Sequence, residues 1–550
     1  MDRLSKRLLP LITAAALCLV GLTTSGVAAD DSSWLVGEWI GTANSAPGET
    51  VRHFLVTGVR PDGQVAGGFG TPRTVQPGNS TIRLTGDRVE VLTRTGNGAR
   101  LVRAGDRLVG QLIIARDDKT YDVTFTKSKF PSLLPPGAAP ALPGAISIGP
   151  VFRPDGPEAA SYGAAQNYPV GTIGNFYQPA YLVGTHSNFD QITTVRRVPA
   201  RQAITLRYAA ATPAIRYGPN YARKTLQDYL NSNPVTGLLI LRGDEILAEH
   251  YQYGRTDKDR FIAWSMSKSI TAMLVGIAVK EGRIRSLDDT AETYAPALKG
   301  SALGATTLRH LLTMSSGVAF IETYTGKDDA SNLFLDTAVQ LSPGGAAAVT
   351  KYNNRIHPPG TKFHYASAET QTLGVVLTAA IGMPISTFMS ERIWRPMGAE
   401  AEAYWIIDKS GQEMSFGGFN AVLRDFGRLG LLLARDGKSP DGRQLIPAEW
   451  IKAATTVRPE DRHLAPGVAT GNSGSFGLGY GYQTWLLPGP RRMFRLSGVR
   501  GQTIMVDPAS QIVLAQNAVR KQELDAANAD TIALWYGILE SLGIDASKAE

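Results

Sequence analysis

The chain has 550 residues, 43% hydrophobic and 19% charged, with 8 Trp, 19 Tyr and 17 Phe; this supports more than one domain with a large core and excludes a disordered or fibrous protein. The formal charge of +8 falls to +6 once residues 1–29 are set aside, because Arg3, Lys6 and Arg7 there outweigh Asp2 by two, and no Lys/Arg block forms a stripe suited to nucleic acid. The single cysteine, Cys18, excludes an intramolecular disulfide and a cysteine-built zinc or iron–sulfur centre.

In chain order, basic Arg3, Lys6 and Arg7 precede an apolar run from Leu8 to Leu22 and small residues ending Val27-Ala28-Ala29. This is the layout of a secretory signal peptide cleaved near Ala29. No other stretch reaches 18 apolar residues, so an exported protein, periplasmic or extracellular, without stable membrane insertion is expected. Residues 30–129 carry short β-type runs at 53–59, 64–67, 81–84, 88–93, 108–114 and 121–126, opened by Gly37-Glu38-Trp39. They predict an all-β accessory module, a small antiparallel sandwich or barrel. Pro, Gly and Ala then dominate, and a linker is expected over 130–165, with the remaining residues 166–550 as the main domain. No periodicity is visible over 151–222, which reads as an irregular wrap.

From Val235 the signal sharpens. Runs at 238–241 and 246–250 flank Arg242-Gly243-Asp244-Glu245 and predict a hairpin. Ser265 to Glu281 places Ile270, Met273, Leu274, Ile277 and Ala278 at helical spacing and ends at Gly282. Helical patterns continue to about residue 456. Strands are predicted at 479–487, 493–497, 503–507 and 512–517, followed by a helix over 526–542. Strands at both ends of a helical middle imply one α/β domain with an inserted α subdomain.

Ser265-Met266-Ser267-Lys268 falls at the first turn of the 265–281 helix. At about 3.6 residues per turn, positions i and i+3 share a face, so the Lys268 amine can reach the Ser265 hydroxyl. Burial and the positive helix N-terminus both favour the neutral amine, the form able to take a proton from serine. Further segments follow: Arg309-His310-Leu311-Leu312-Thr313-Met314-Ser315-Ser316-Gly317, Ile321-Glu322-Thr323-Tyr324 and Pro359-Gly360-Thr361-Lys362-Phe363-His364-Tyr365-Ala366-Ser367.

In this order and spacing, over about residues 200–545, the chain resembles the serine hydrolases of the β-lactamase and penicillin-binding-protein fold. Within them it is most similar to 6-aminohexanoate-dimer hydrolases and class C-like carboxylesterases. The resemblance implies an antiparallel sheet with flanking helices and an inserted α subdomain. It implies Ser265 as acyl-accepting nucleophile, Lys268 as its base and Tyr365 as the phenol that shuttles protons to and from the leaving group. The Lys-Thr-Gly strand of those enzymes falls on Leu496-Ser497-Gly498, which places Ser497 and Gly498 at the substrate and makes the backbone N–H groups of Ser265 and Val499 the oxyanion hole. Tyr324 matches a lid tyrosine whose hydroxyl meets the amide. Ser367 stands at the substrate where β-lactam-reactive enzymes carry Asn.

No cofactor or metal is implied, and the substrate is a small-molecule amide or ester. Leu496 lacks the cation that relatives place near a substrate carboxylate, which argues against a dedicated β-lactamase. Arg500 offers a charge nearby but reads first as an exposed loop arginine. Two rivals stand beside this reading: a β-lactam-reactive D-alanyl-D-alanine carboxypeptidase or β-lactamase, and a binding protein built on a dead hydrolase fold. The sequence leaves the oligomeric state open.

Overall fold

The computed structural model describes residues 35, 37–43, 51–59, 63–70, 80–93, 97–114, 119–127, 149–218, 224–468, 477–521 and 527–548. The signal segment 1–29 with Cys18, and the linker up to residue 148, lie outside them. The chain divides into two units, 1–145 and 146–550.

The first unit is a closed antiparallel barrel of eight strands: Gly37–Ala43, Val51–Val59, Gln64–Gly70, Ser80–Thr85, Arg88–Thr93, Gly98–Ala104, Arg107–Ile114 and Lys119–Lys127. Each strand pairs with the next, and the last returns to the first, so no edge is left open. Alternation drives this closure: Ile82, Leu84, Val89 and Val91 point inward while Thr81, Arg83, Arg88 and Glu90 face solvent. Rings of Phe54, Phe69 and Phe125 meet at 6.0–6.4 Å inside. Between Thr85 and Arg88 the turn is two residues long, and Gly86 supplies its positive φ of 56°. The strand Gly98–Ala104 carried no sequence signal. Its inward residues are Leu101 and the small Ala99, Gly98 is buried without a side chain, and the apolar Val102 faces out, so the apolar alternation is lost.

The second unit is built on a nine-stranded sheet. Its order is Arg207–Tyr208, Glu245–Tyr251, Val235–Arg242, Ile512–Ala518, Gln502–Asp507, Phe494–Gly498, Trp485–Leu486 and Gly479–Tyr480, with Val151–Phe152 also pairing the Glu245–Tyr251 strand. Both faces are covered. Leu239, Leu241, Ile504, Val506 and Val513 enter one core with the helices Met266–Lys280 and Leu423–Ala434. Leu238, Ile240, Met505, Ile512 and Leu514 enter the other with Leu226–Ser232 and Ala527–Ser541. Double coverage explains why these strands read as continuous apolar runs. The fold class is therefore the antiparallel sheet with flanking helices and an added helical region that the sequence implied.

Three expectations are corrected. Residues 149–165 are not linker: Val151–Phe152 runs parallel to Glu245–Tyr251, and Phe152 stacks on Tyr251 at 5.4 Å. The irregular wrap contains a helix, Pro179–Ser187, whose residues Leu182 to Ser187 are all buried; with no solvent face it shows no amphipathic stripe. A second, four-stranded sheet, ordered Val195–Val198, Ala403–Ile406, Phe419–Val422 and Arg260–Ile262, takes its two central strands from the region read as helical. Two of its strands are four buried residues each, too short and too uniformly buried to show a period. No single described helix is long and apolar enough to cross a membrane.

Candidate active site

The small sheet delivers the nucleophile turn. After Arg260–Ile262 the Ala263 N–H donates to Phe419 O at 2.8 Å, and the Phe419 N–H donates to Ser267 Oγ at 3.1 Å, so the first helical turn is tied to a sheet strand. Trp264 holds a φ of +45°, unusual for a residue with a side chain, and this sharp reversal lifts Ser265 to the N-cap of the helix Met266–Lys280. Ser265 is half-buried.

Lys268 rises from the same helical turn, 1% exposed, and its Nζ donates to Ser265 Oγ at 2.8 Å and to Phe416 O at 3.0 Å. Burial pushes its pKa down to about 8, against an upward pull from the Glu322 carboxylate. At neutral pH about one amine in ten is therefore free of its proton. The Tyr365 ring lies with its centroid 5.0 Å from Nζ, and Ser265 is among the groups that act on its hydroxyl. Burial, and then Glu322, hold the Tyr365 phenol well above its usual range, so it is a neutral donor. Trp485 stacks on its ring at 5.6 Å.

Glu322 had no role in the sequence reading, although it stands in the segment that carried the resemblance. It is buried, and one or other of its carboxylate oxygens accepts from the Ser367 N–H at 2.7 Å and from the hydroxyls of Ser367 and Tyr324, each at 2.8 Å. A single acidic residue in a polar loop has no pattern that marks it as buried. Tyr324, half-buried with a φ of +58°, has its phenol raised well above the usual value, first by burial and then by Glu322. Ser367, expected at the substrate, is buried at the start of the helix Ser367–Ile381 with its hydroxyl directed to Glu322 instead.

The strand Phe494–Gly498 forms the opposite wall. A Cβ on Gly498 would lie 2.5 Å from Ala263 O and 3.1 Å from Ser265 N, so only glycine lets this backbone lie against the nucleophile turn. Ser497 and Val499 flank it, both half-exposed. Gly498→Ala is expected to lower kcat about a hundredfold or more by displacing the turn, as misplacement of about 1 Å does; steady-state kinetics beside a thermal melt would separate this from unfolding, and an active variant would show that the contact is not needed.

Leu496 is 0% exposed and packs in the core beneath the Met266–Lys280 helix, so it does not line the carboxylate end of a cleft. Strand alternation sends Arg495 and Ser497 to the other face, where Arg495 Nη2 donates to Ser497 Oγ at 2.6 Å. Burial lowers the Arg495 pKa to about 10, which leaves it charged at neutral pH. Arg500 is not an exposed loop arginine: it is 7% exposed, with a φ of +62°, and donates to the backbone carbonyls of Arg520 and Lys521. His364 Nε2 bonds Phe320 O at 2.7 Å, whereas the buried His310 Nδ1 finds no partner among the described residues. No group of three or more His, Cys, Asp or Glu among the described residues is placed to hold a metal ion.

Residues 222–535 match the β-lactamase family. The chain is similar to the 6-aminohexanoate-dimer hydrolase of Paenarthrobacter ureafaciens, 25% identical over 331 residues that make up 59% of this chain and 81% of that protein. It is also similar to a β-lactamase of Pseudomonas fluorescens, 23% identical over 183 residues, 32% of this chain and 47% of that one. A solved structure from Bacillus anthracis, assigned as a 6-aminohexanoate-dimer hydrolase, aligns with a TM-score of 0.60 at 22% identity, covering 67% of this chain and 96% of that one, and so shares its fold. With more than half of its length inside the family match, and the second unit folded as the relatives are, the chain belongs to the β-lactamase family and is a hydrolase of the β-lactamase fold.

Proposed function

We propose that the protein is an exported serine hydrolase that cleaves neutral amides or esters through an acyl-enzyme on Ser265. The observation that carries this reading is the 2.8 Å bond from a fully buried Lys268, its pKa pushed down to about 8, to Ser265 Oγ. Neutral Lys268 takes the Ser265 proton as Oγ attacks the carbonyl carbon. The resulting oxyanion faces the N–H groups of Ser265 and Val499. Tyr365 gives its proton to the departing nitrogen or oxygen, and the proton held by Lys268 restores the phenol. Water then repeats the attack on the acyl-serine, and the proton transfers run in reverse. Glu322 steadies the charged form of Lys268 and, by accepting from Tyr324, orients that hydroxyl.

Neutral substrates are favoured because Leu496 brings no cation to this wall and Arg495, beside Ser497, is buried and donates to Ser497 Oγ and Asn528 Oδ1. A carboxylate therefore lacks a direct charge-assisted partner there. The test is kcat/KM for p-nitrophenyl butyrate, a linear amide oligomer and a chromogenic cephalosporin, with fluorophosphonate labelling of Ser265. The ester is expected to exceed the cephalosporin by about two decades, the scale of a lost charged hydrogen bond with poorer positioning. Equal rates would favour the β-lactam-reactive reading, with Arg495 acting through Ser497. An unlabelled Ser265 in folded protein would favour the binding protein.

A further inference from the structure

Met314 follows the short helix Leu308–Leu312 and is 0% exposed, in one core cluster with Phe363, Tyr365, Tyr480 and Trp485. Its φ of +52° lies in the left-handed region, which strains a residue with a side chain and persists only where the surroundings hold it. Two of its atoms turn to the chain around Tyr365. The Met314 carbonyl accepts the His364 N–H at 2.7 Å, and the Met314 Sδ accepts the Ala366 N–H at 3.4 Å. The backbone amides on either side of Tyr365 therefore end on one residue. Beside it, the Ser315 carbonyl accepts the Gly360 N–H at 2.8 Å, which ties down the turn that leads into this run.

Residues 363–366 belong to neither a helix nor a strand, so no ladder of backbone bonds sets where Tyr365 stands. Around its ring, Trp485 stacks at 5.6 Å and Tyr480 meets it edge-on at 6.3 Å. Such packing fixes the plane of the phenol. Its reach toward Ser265 and Lys268 is set by the backbone, and a group that handles a proton has to be held to within about half an ångström. Ala366 is 1% exposed, and a buried N–H deprived of its acceptor costs enough to shift the chain that carries it. Leucine at 314 would fill nearly the same space but carries no acceptor. Glycine would relieve the left-handed φ and lose the sulfur as well.

We propose that Met314 is a positioning residue for the proton donor: its carbonyl and its thioether sulfur together hold the backbone from His364 to Ala366 so that the Tyr365 hydroxyl meets the departing atom. The proposal rests on the serine hydrolase reading with Tyr365 as the acid, and its test uses leaving groups that need the proton to different degrees. Ethyl butyrate and p-nitrophenyl butyrate place the same butyryl group on Ser265. Ethoxide has to be protonated as it leaves, whereas nitrophenoxide departs as a stable anion. For both esters kcat/KM reports the steps up to acylation.

Tyr365→Phe is expected to lower kcat/KM for the ethyl ester about a hundredfold more than for the nitrophenyl ester, the scale of lost general acid catalysis. Met314→Leu should widen the same ratio about tenfold, the scale of a buried amide left unpaired, and should add little when combined with Tyr365→Phe. Met314→Gln, whose side-chain carbonyl returns an acceptor, should recover most of the ethyl ester rate even where the melting temperature falls. Hydrogen exchange across residues 363–367, followed by mass spectrometry, should be faster in Met314→Leu than in the wild type or Met314→Gln.

Equal losses on both esters in Met314→Leu, or a lower melting temperature with the ratio unchanged, overturn the positioning role and leave the hydrolase reading standing. A ratio that Tyr365→Phe does not move removes Tyr365 as the acid, and the role of Met314 with it, while Ser265 stays the nucleophile. No turnover of either ester by the wild type sinks the hydrolase reading itself, and the proposal falls with it.

Discussion

Ser265→Ala is expected to lower kcat for a neutral ester by at least about four orders of magnitude with the fold intact. The substitution removes one hydroxyl from a half-buried position, and Lys268 keeps its bond to Phe416 O. The core beneath the helix is untouched, so the thermal melt should move little. Lys268→Ala and Tyr365→Phe should each cost orders of magnitude, and the double variant should lose no more than the worse single one, because the two groups handle the same proton. Losses that simply add would place one of them outside the reaction. Wild-type rates in Ser265→Ala would remove the acyl-enzyme altogether.

The second large effect is on pH dependence. Burial favours the neutral form of Lys268, and the neutral form is the base, so activity is present above its pKa and lost below it. kcat/KM should rise to a plateau with a midpoint near pH 8, and at pH 6 should stand about a hundredfold below that plateau. Glu322 acts in the opposite direction, raising the Lys268 value. Glu322→Gln keeps the shape of the side chain but removes the charge, so the midpoint should move to lower pH. A merely structural role for Glu322 would change the rate and leave the midpoint where it was; an upward shift would show that its charge does not act on Lys268. The measurement is a pH profile of kcat/KM for both proteins over the same range.

What the sequence determined by itself was local in origin. Ser265 and Lys268 are three residues apart on one helix, so their meeting follows from helical geometry and needs no knowledge of the rest of the chain. Most barrel strands were legible because one face is dry and the other wet, and the alternation of Ile82 and Leu84 with Thr81 and Arg83 records that difference. Tertiary structure decided everything that depends on which partner lies across a gap. The four-stranded sheet and the helix Pro179–Ser187 are buried nearly all round, and without a solvent face their residues carry no period. Leu496 enters the core instead of the substrate's carboxylate end, because strand alternation shows that neighbours point apart but not which side the core lies on; Arg500, past the end of that strand, is buried by its bonds to the Arg520 and Lys521 carbonyls, which no local pattern marks. Glu322 acts on Lys268 from a loop far along the chain, and only packing puts a carboxylate near that amine.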